Sequence, residues 1–343
     1  MKGKATSFDI AHYAGVSQST VSRALRNSPL VNEETRKKVH EIAKQLNYKV
    51  DKNASNLRTQ QSSTLALLLF EDPTADDSQI NPFFLAMLGS ITRACARSGY
   101  DLLVSFQQAS QDWHADYEDS HRADGLILLG YGDFIDYQEK LDKLMANQTK
   151  FVCWGAQVPE RPDLSLRCDN YLGGRLAAQH LVTQQRRQFA FIGDASEHSP
   201  EFNERFNGFK DVLTEHNRSI DTRKIANAIS TESSGYHATH SLISNKIQFD
   251  ALFAASDLIA IGAIRALKEA GLRVPEDVSV IGFDDIPVAS FVNPPLTTIS
   301  QSTSKAGEML VENLLKLIAG HEVVHDILTP ELVIRQSTCP LAE

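Results

Sequence analysis

Gln18, Ser19, Ser22 and Arg23 fall within six consecutive residues and carry the hydrogen-bonding groups that a base-pair edge can use. A guanidinium bonds guanine bidentately, a carboxamide does the same for adenine, and a hydroxyl serves either. The hydroxyls of Thr6, Ser17, Thr20 and Ser22 and the amide of Asn27 are short groups suited to phosphate oxygens, which position a protein on a duplex without reading it. Taken singly, each of these side chains is a helix cap or a solvated residue. Their clustering points to DNA.

For such groups to face one partner, helices must hold them. Thr6 and Asp9 have the spacing of a capping box, with Asp in place of the usual Glu, ahead of Ile10, Ala11 and Ala14 on one face. Gly15 ends that helix. Ser17 can cap a second helix that turns Val21, Ala24 and Leu25 inward and leaves Gln18, Ser19, Ser22 and Arg23 outside. Asn32 can cap a third, "NEETRKKVHEIAKQL", whose Val39, Ile42, Ala43 and Leu46 keep the i, i+3, i+4, i+7 spacing. Two short helices joined by a turn, with a third in support, make a helix-turn-helix whose second helix enters the major groove. Charge agrees: residues 1–60 hold 11 Lys or Arg against 5 Asp or Glu, net +6, whereas the remaining 23 basic and 38 acidic residues give −15, and the sum is the chain's −9. A basic head on an acidic body suits a polyanion at the N-terminus alone.

A second set of chemical groups lies further on, where apolar runs end. Asp194, Ser256 with Asp257, and Asp284 with Asp285 follow "FAFIG", "ALFAA" and "VSVIGF". Arg205, in "ERFNGF", reads as a helix beginning, a costly place for a cation beside the positive end of the dipole unless it serves a ligand. Further apolar runs start at Leu65, Leu102, Gly125 and Phe151, and helical patterns between them cover 82–98, 172–184, 204–216, 258–270 and 304–318. Continuous apolar strands alternating with amphipathic helices mean parallel sheets covered on both faces. One sheet would need too many strands, so two doubly wound subdomains are expected, with a closable cleft at the carboxyl ends of their strands.

At 343 residues the chain has room for two or three domains. No run of about 18 uncharged apolar residues appears, and the N-terminus lacks the pattern of a signal peptide, so a cytoplasmic protein with no membrane partner is expected. Cys95, Cys153, Cys168 and Cys339 are scattered and read as small apolar residues; His237 and His240 lack a third ligand, so no metal is expected. No nucleophile with a base and no carboxylate pair in a recognisable frame is present, and the glycines at Gly130 and Gly173 are weak phosphate-loop signals. Neither enzyme activity nor a cofactor is expected.

"DIAHYAGVSQSTVSRAL", "TRKKV" and "LNY" resemble the headpiece of the lac repressor family of bacterial transcription regulators. That resemblance places Gln18, Ser19 and Arg23 on base-reading positions and Tyr48 near the backbone. It makes residues 49–62 a hinge whose Ala54 and Leu57 contact DNA, Leu57 as an apolar wedge in the minor groove. Val50 and Asp51 stand where the family usually has Pro and often has Asn. "RFNGF", "LFAASDLIAIGAIRALKEAGLRVPEDVSVIGFDD" and "PPLTTISQS" resemble the family's effector-binding core, itself similar to periplasmic sugar-binding proteins. Arg205, Ser256, Asp284 and Gln301 then fall on cleft positions and Asp257 on a more structural one. Ser230, five residues before Gly235, replaces the family's stacking Trp or Phe, a role for which Trp154 is the candidate.

The organisation implied is a headpiece at 1–48, the hinge at 49–62 and a core at 63–343. Within the core, one subdomain takes about 63–163 plus 301–328 and the other about 164–300 plus 329–343. The function implied is a repressor that binds a near-palindromic operator as a homodimer under control of a small polar metabolite. A sugar or sugar derivative leads, a purine or nucleoside is second, and the chain's end shortly after "PELVIRQ" favours dimer over tetramer. A solute-binding protein, the rival from another class, is contradicted by residues 1–60.

Overall fold

The structure is a computed structural model that describes residues 5–48, 62–70, 80–109, 111–155, 157–158, 160–324 and 327–340. The chain divides between Ser62 and Ser63 into two compact units.

The first unit holds α1 (Ser7–Ala14), α2 (Gln18–Leu25) and α3 (Glu33–Gln45). The Thr6 side chain accepts from the Asp9 N–H while Asp9 accepts from the Thr6 N–H at 2.7 Å, so the shorter Asp closes the capping box. Gly15 adopts φ 68°, a left-handed conformation that glycine alone enters freely, and the chain reverses there into α2. Ser17 caps α2 by accepting from the Thr20 N–H at 3.2 Å, and Asn32 caps α3 by accepting from that of Thr35 at 2.8 Å. Ile10, Ala14, Val21, Ala24, Val31, Val39 and Ala43 close a core between the three helices.

The second unit carries β1 (Thr64–Leu69), β2 (Asp101–Phe106), β3 (Gly125–Leu129), β4 (Phe151–Trp154), β5 (Ser165–Cys168), β6 (Phe189–Ile192), β7 (Ile225–Ala226), β8 (Ala251–Ala254), β9 (Ser279–Asp284), β10 (Thr297–Ser300), β11 (Ile327–Leu328) and β12 (Glu331–Val333). They form two sheets, ordered β11-β5-β4-β3-β1-β2 and β12-β10-β9-β8-β6-β7. Among the described residues every pairing is parallel except β12 against β10. Along β1, Leu65, Leu67 and Leu69 enter one apolar layer and Ala66 and Leu68 another, which is why the strand reads as an unbroken apolar run.

The covering helices are α4 (Pro82–Arg97), α5 (Phe134–Ala146), α6 (Asn170–Thr183), α7 (Pro200–Glu215), α8 (Glu232–Ser244), α9 (Asp257–Glu269) and α10 (Thr303–Ile318). The subdomain boundary expected at 163 needs correction. β5 pairs with β4, Cys153 opposite Ser165, so the chain leaves the first sheet only after Cys168. "SLRC" is too short and too polar to announce itself as a strand. The chain crosses between sheets again after Ser300, where α10 returns to lay Leu314 and Ile318 over Gly125 of β3, and once more between β11 and β12. Among the described residues no helix is long and apolar enough to cross a membrane.

Candidate functional site

Two sites emerge, one in each unit. In the first unit α2 buries Val21 and Ala24 and exposes Ser19 and Arg23. Gln18 is half-buried, its amide donating to the Ser7 hydroxyl at 2.8 Å, so it is tied back to α1. The Ser17 hydroxyl lies 2.8 Å from those of Ser19 and Thr20, and the Ser22 hydroxyl accepts from Arg26 at 2.6 Å. Arg26, which sequence reasoning passed over, thereby adds a second exposed guanidinium beside Ser22. Asn27 sits at φ 55° with its side-chain oxygen 3.2 Å from the His40 ring nitrogen, which makes it part of the turn that carries the chain toward α3. Tyr48 packs half-buried against the three-helix core. Ala54 and Leu57 lie outside the described residues.

In the second unit the carboxyl ends of both sheets face a cavity of about 880 Å³. The subdomain of the first sheet lends it an aromatic wall, chiefly Phe83, Phe106, Tyr131 and Trp154, and that of the second lends polar groups, chiefly Glu201, Arg205, Asp284 and Gln301. Trp154, the last residue of β4, is 7% exposed and stands 6.0 Å from the Phe83 ring. Arg205, Asp284, Gln301 and Trp154 are thus brought together.

Arg205 is not at a helix start. α7 begins a turn earlier, with Pro200 at its first position, so the dipole argument does not apply. What holds this cation, only 5% exposed, is a set of specific contacts. Its guanidinium lies 3.7 Å from the Phe283 ring centroid and 5.1 Å from that of Phe202. Nε donates to Asn170 Oδ1 at 2.9 Å, one terminal nitrogen donates to the Ala255 carbonyl, and the Asp284 carboxylate is 3.7 Å away. The backbone that carries it is drawn in by glycine: a Cβ on Gly174 of α6 would fall 1.9 Å from the Arg205 carbonyl oxygen. Asp284 takes φ 114°, a conformation that L residues rarely adopt, and accepts from Gln301 at 2.7 Å. Burial pushes its carboxyl up to about 6, against the opposing pull of Arg205 and Gln301. Asn170 and Gln301 stand at two of the crossings between the sheets, so the groups that bond Arg205 and Asp284 also belong to the connections that join the two sheets.

Ser256 differs from its expected place on the cleft wall. It is 1% exposed, caps α9, and accepts from the Ser230 hydroxyl at 2.8 Å, which places Ser230 between it and the cavity. Ser230 is in turn 3.4 Å from the Asn81 amide. The other carboxylates at strand ends have structural partners. Asp194 accepts from the Ser199 hydroxyl, and Asp285 accepts from Arg335 at 2.6 Å. Asp257, fully buried, accepts from the Thr298 hydroxyl and the Ile286 N–H, and burial drives its carboxyl well above the usual range. Contacts that sequence reading missed span the cleft: the Tyr131 hydroxyl donates to Glu201, His198 lies 2.7 Å from Asp133, and the Phe134 N–H donates to the His198 carbonyl. No local signal links such residues, which come from opposite subdomains. Among the described residues no three His, Cys, Asp or Glu side chains group to hold a metal ion.

Known proteins resemble the chain along nearly its whole length. The profile for "Bacterial regulatory proteins, lacI family" matches residues 8–51, and that for "Periplasmic binding protein-like domain" matches 178–338. The HTH-type transcriptional repressor PurR of Mannheimia succiniciproducens is 30% identical over 98% of this chain and 100% of its own. The ribose operon repressor of Escherichia coli (strain K12) is 31% identical over 92% of this chain and 93% of its own. Of solved structures, the lac repressor dimer bound to operator and the anti-inducer ONPF matches with a TM-score of 0.81 at 27% identity, covering 98% of this chain and 100% of that one. A complex of the transcriptional regulator CelR with cellobiose matches with a TM-score of 0.72 at 27% identity, covering 97% and 99%.

Proposed function

This chain belongs to the lacI family of bacterial regulatory proteins, and we propose that it is a cytoplasmic repressor that binds a near-palindromic operator as a homodimer and is released or recruited by a small polar metabolite. The observation that carries the reading is α2, a short helix that turns Val21 and Ala24 into the core and presents Ser19 and Arg23 outward on a basic unit. Arg23 reads guanine, Ser19 and Gln18 contribute once Gln18 releases Ser7, and Thr6, Ser17, Thr20, Ser22 and Asn27 meet phosphates. Residues 49–62, with Ala54 and Leu57, act as the hinge between the headpiece and the core.

The cleft senses the metabolite. Arg205, Asp284 and Gln301 offer donors and acceptors matched to hydroxyls, and Trp154 offers a ring face. A ligand that bonds Arg205 and Asp284 bears on Asn170 and Gln301, hence on the crossings, and so favours one opening of the cleft over another. It shifts DNA binding only by the difference in its affinity for the two states. The ribose operon repressor and the CelR–cellobiose complex support a sugar; the PurR likeness keeps a purine as the second reading.

The test uses full-length protein and operator DNA selected from a random pool, read by fluorescence anisotropy. Arg23→Ala should abolish operator preference and leave ligand binding at the cleft intact. An unchanged preference for that operator over unrelated DNA removes Arg23 from base reading.

A further inference from the structure

Among the described residues, four contacts tie residues 131–134 and 155 of the first subdomain to residues 198–201 of the second, on either side of the start of α5. The Phe134 N–H opens α5 and has no acceptor within its own helix; it donates to the His198 carbonyl at 3.0 Å. Asp133, the N-cap of α5, divides its carboxylate. One oxygen accepts from the Ile135 N–H at 2.9 Å and the other lies 2.7 Å from His198 Nδ1. The Tyr131 hydroxyl donates to one oxygen of Glu201, and the other oxygen rests against Gly155, where any Cβ would collide with it. None of the four uses Arg205, Asp284 or Gln301, so closure of the cleft has a source separate from the groups that face an effector.

Both sides are shaped before they meet. Tyr131 stacks on Tyr137 with ring centroids 5.2 Å apart and planes at 20°, so α5 fixes where its hydroxyl points. Opposite, the Ser199 hydroxyl donates to Asp194 at 3.0 Å and the His198 N–H to the Ser196 hydroxyl at 3.3 Å, which closes the turn before α7 on itself. Prearranged partners lose little further freedom on meeting, so ordering offsets little of each bond. Singly the bonds are modest. One that exchanges with water shifts an equilibrium about two- to tenfold, and the His198–Asp133 pair, with His198 49% exposed, stands at the weak end. Made and broken together, they shift it far more than any one alone.

Resting on the repressor reading above for its link to DNA, we propose that these segments form a latch. The four contacts make and break as one unit, hold the cleft closed in the ligand-free protein, and so set its resting affinity for operator. An effector then adds to, or works against, a bias that the chain itself carries.

Hydrogen exchange at the Phe134 N–H, measured on the full-length protein without ligand, tests the latch, because that N–H is freed when the two segments part. Glu201→Ala leaves both Phe134 and the His198 carbonyl in place, yet it should speed this exchange about threefold to tenfold. Tyr131→Phe, which removes the same bond from the other side, should do likewise, with circular dichroism and unchanged exchange of the β1 amides showing that the fold is intact. Operator affinity of the same ligand-free samples, read by anisotropy on the selected operator, should move by about threefold or more, in one direction for both variants. Unchanged Phe134 exchange in both variants overturns the latch, since the contacts are then independent. Faster exchange with operator affinity unmoved overturns its regulatory role. A parent protein that prefers no operator sequence removes the repressor reading instead, and the exchange result still decides whether the segments act as one.

Discussion

Removing Arg205 should turn Asp284 into a measurable liability. The Asp284 carboxyl moves from its ordinary 3.8 to about 6. Those roughly 2 units, at about 1.4 kcal/mol each, correspond to about 3 kcal/mol. A folded-state pKa above the unfolded one means that the group's contribution is fully present below the unfolded value and is lost as pH rises through about 6. Arg205 holds this shift down, so Arg205→Ala should raise it further and steepen the loss. Breaking a buried ion pair by removing one partner costs about 3–5 kcal/mol, because the survivor is left charged and unpaired. Arg205→Ala with Asp284→Asn removes both charges and should recover at least about 2 kcal/mol of that at pH 7.5. At pH 5 the recovery should shrink, since Asp284 in the single variant is then protonated. Urea unfolding followed by tryptophan fluorescence reads this out cleanly: the chain's two Trp, Trp113 and Trp154, are both buried in the second unit. Equal stability of the single and double variants at pH 7.5, or a gap that does not change between pH 5 and pH 7.5, would refute the argument that Arg205 offsets the burial of Asp284.

Gly174→Ala should destabilise the second unit by about 3 kcal/mol or more in the same urea assay, because its Cβ would lie 1.9 Å from the Arg205 carbonyl and α6 and α7 would have to separate. Wild-type stability would show that the close approach is not needed. The bond from Asp133 raises the pKa of His198; desolvation works against it, but the bond from His198 and the N–H groups of Ile135 and Asp136 hold Asp133 below the usual carboxylate range. The pair should thus persist at mildly acidic pH, weaken as pH rises through the raised value of His198, and weaken again as Asp133 protonates below about 3.9. Hydrogen exchange at the Phe134 N–H, corrected for its intrinsic rate, should follow that course in the native protein and lose its upper limb in His198→Gln. Thr6→Ala should cost the headpiece about 1 kcal/mol by opening the capping box, seen as faster exchange of the α1 amides, with operator affinity reduced.

The amino-acid sequence by itself determined the local structure. Thr6 with Asp9, Gly15, Ser17 and Asn32 act within a turn of where they stand, so the three headpiece helices and the outward face of α2 were legible from spacing alone. The runs that became β1, β3, β4, β6, β8 and β9 were legible too, because a strand covered on both faces must be apolar at every position. Tertiary structure decided what local pattern does not encode. β5 exists because β4 and β11 flank it, since "SLRC" has no period of its own. Arg186 looks like any surface cation in sequence, yet it is 1% exposed and donates to the carbonyls of Pro275, Glu276 and Cys339, the nearest of them 89 positions away. Among the carboxylates that end strands, Asp284 faces the cleft while Asp194, Asp257 and Asp285 serve hydroxyls, an N–H and an arginine. The cleft's composition, with Glu201 against Tyr131 and Ser230 against Asn81, depends on which strand edges the two sheets bring face to face. Side chains interact over a few ångströms, so spacing along the chain is informative where the backbone keeps neighbours close, as in a helix, and silent where partners meet only after both sheets have formed.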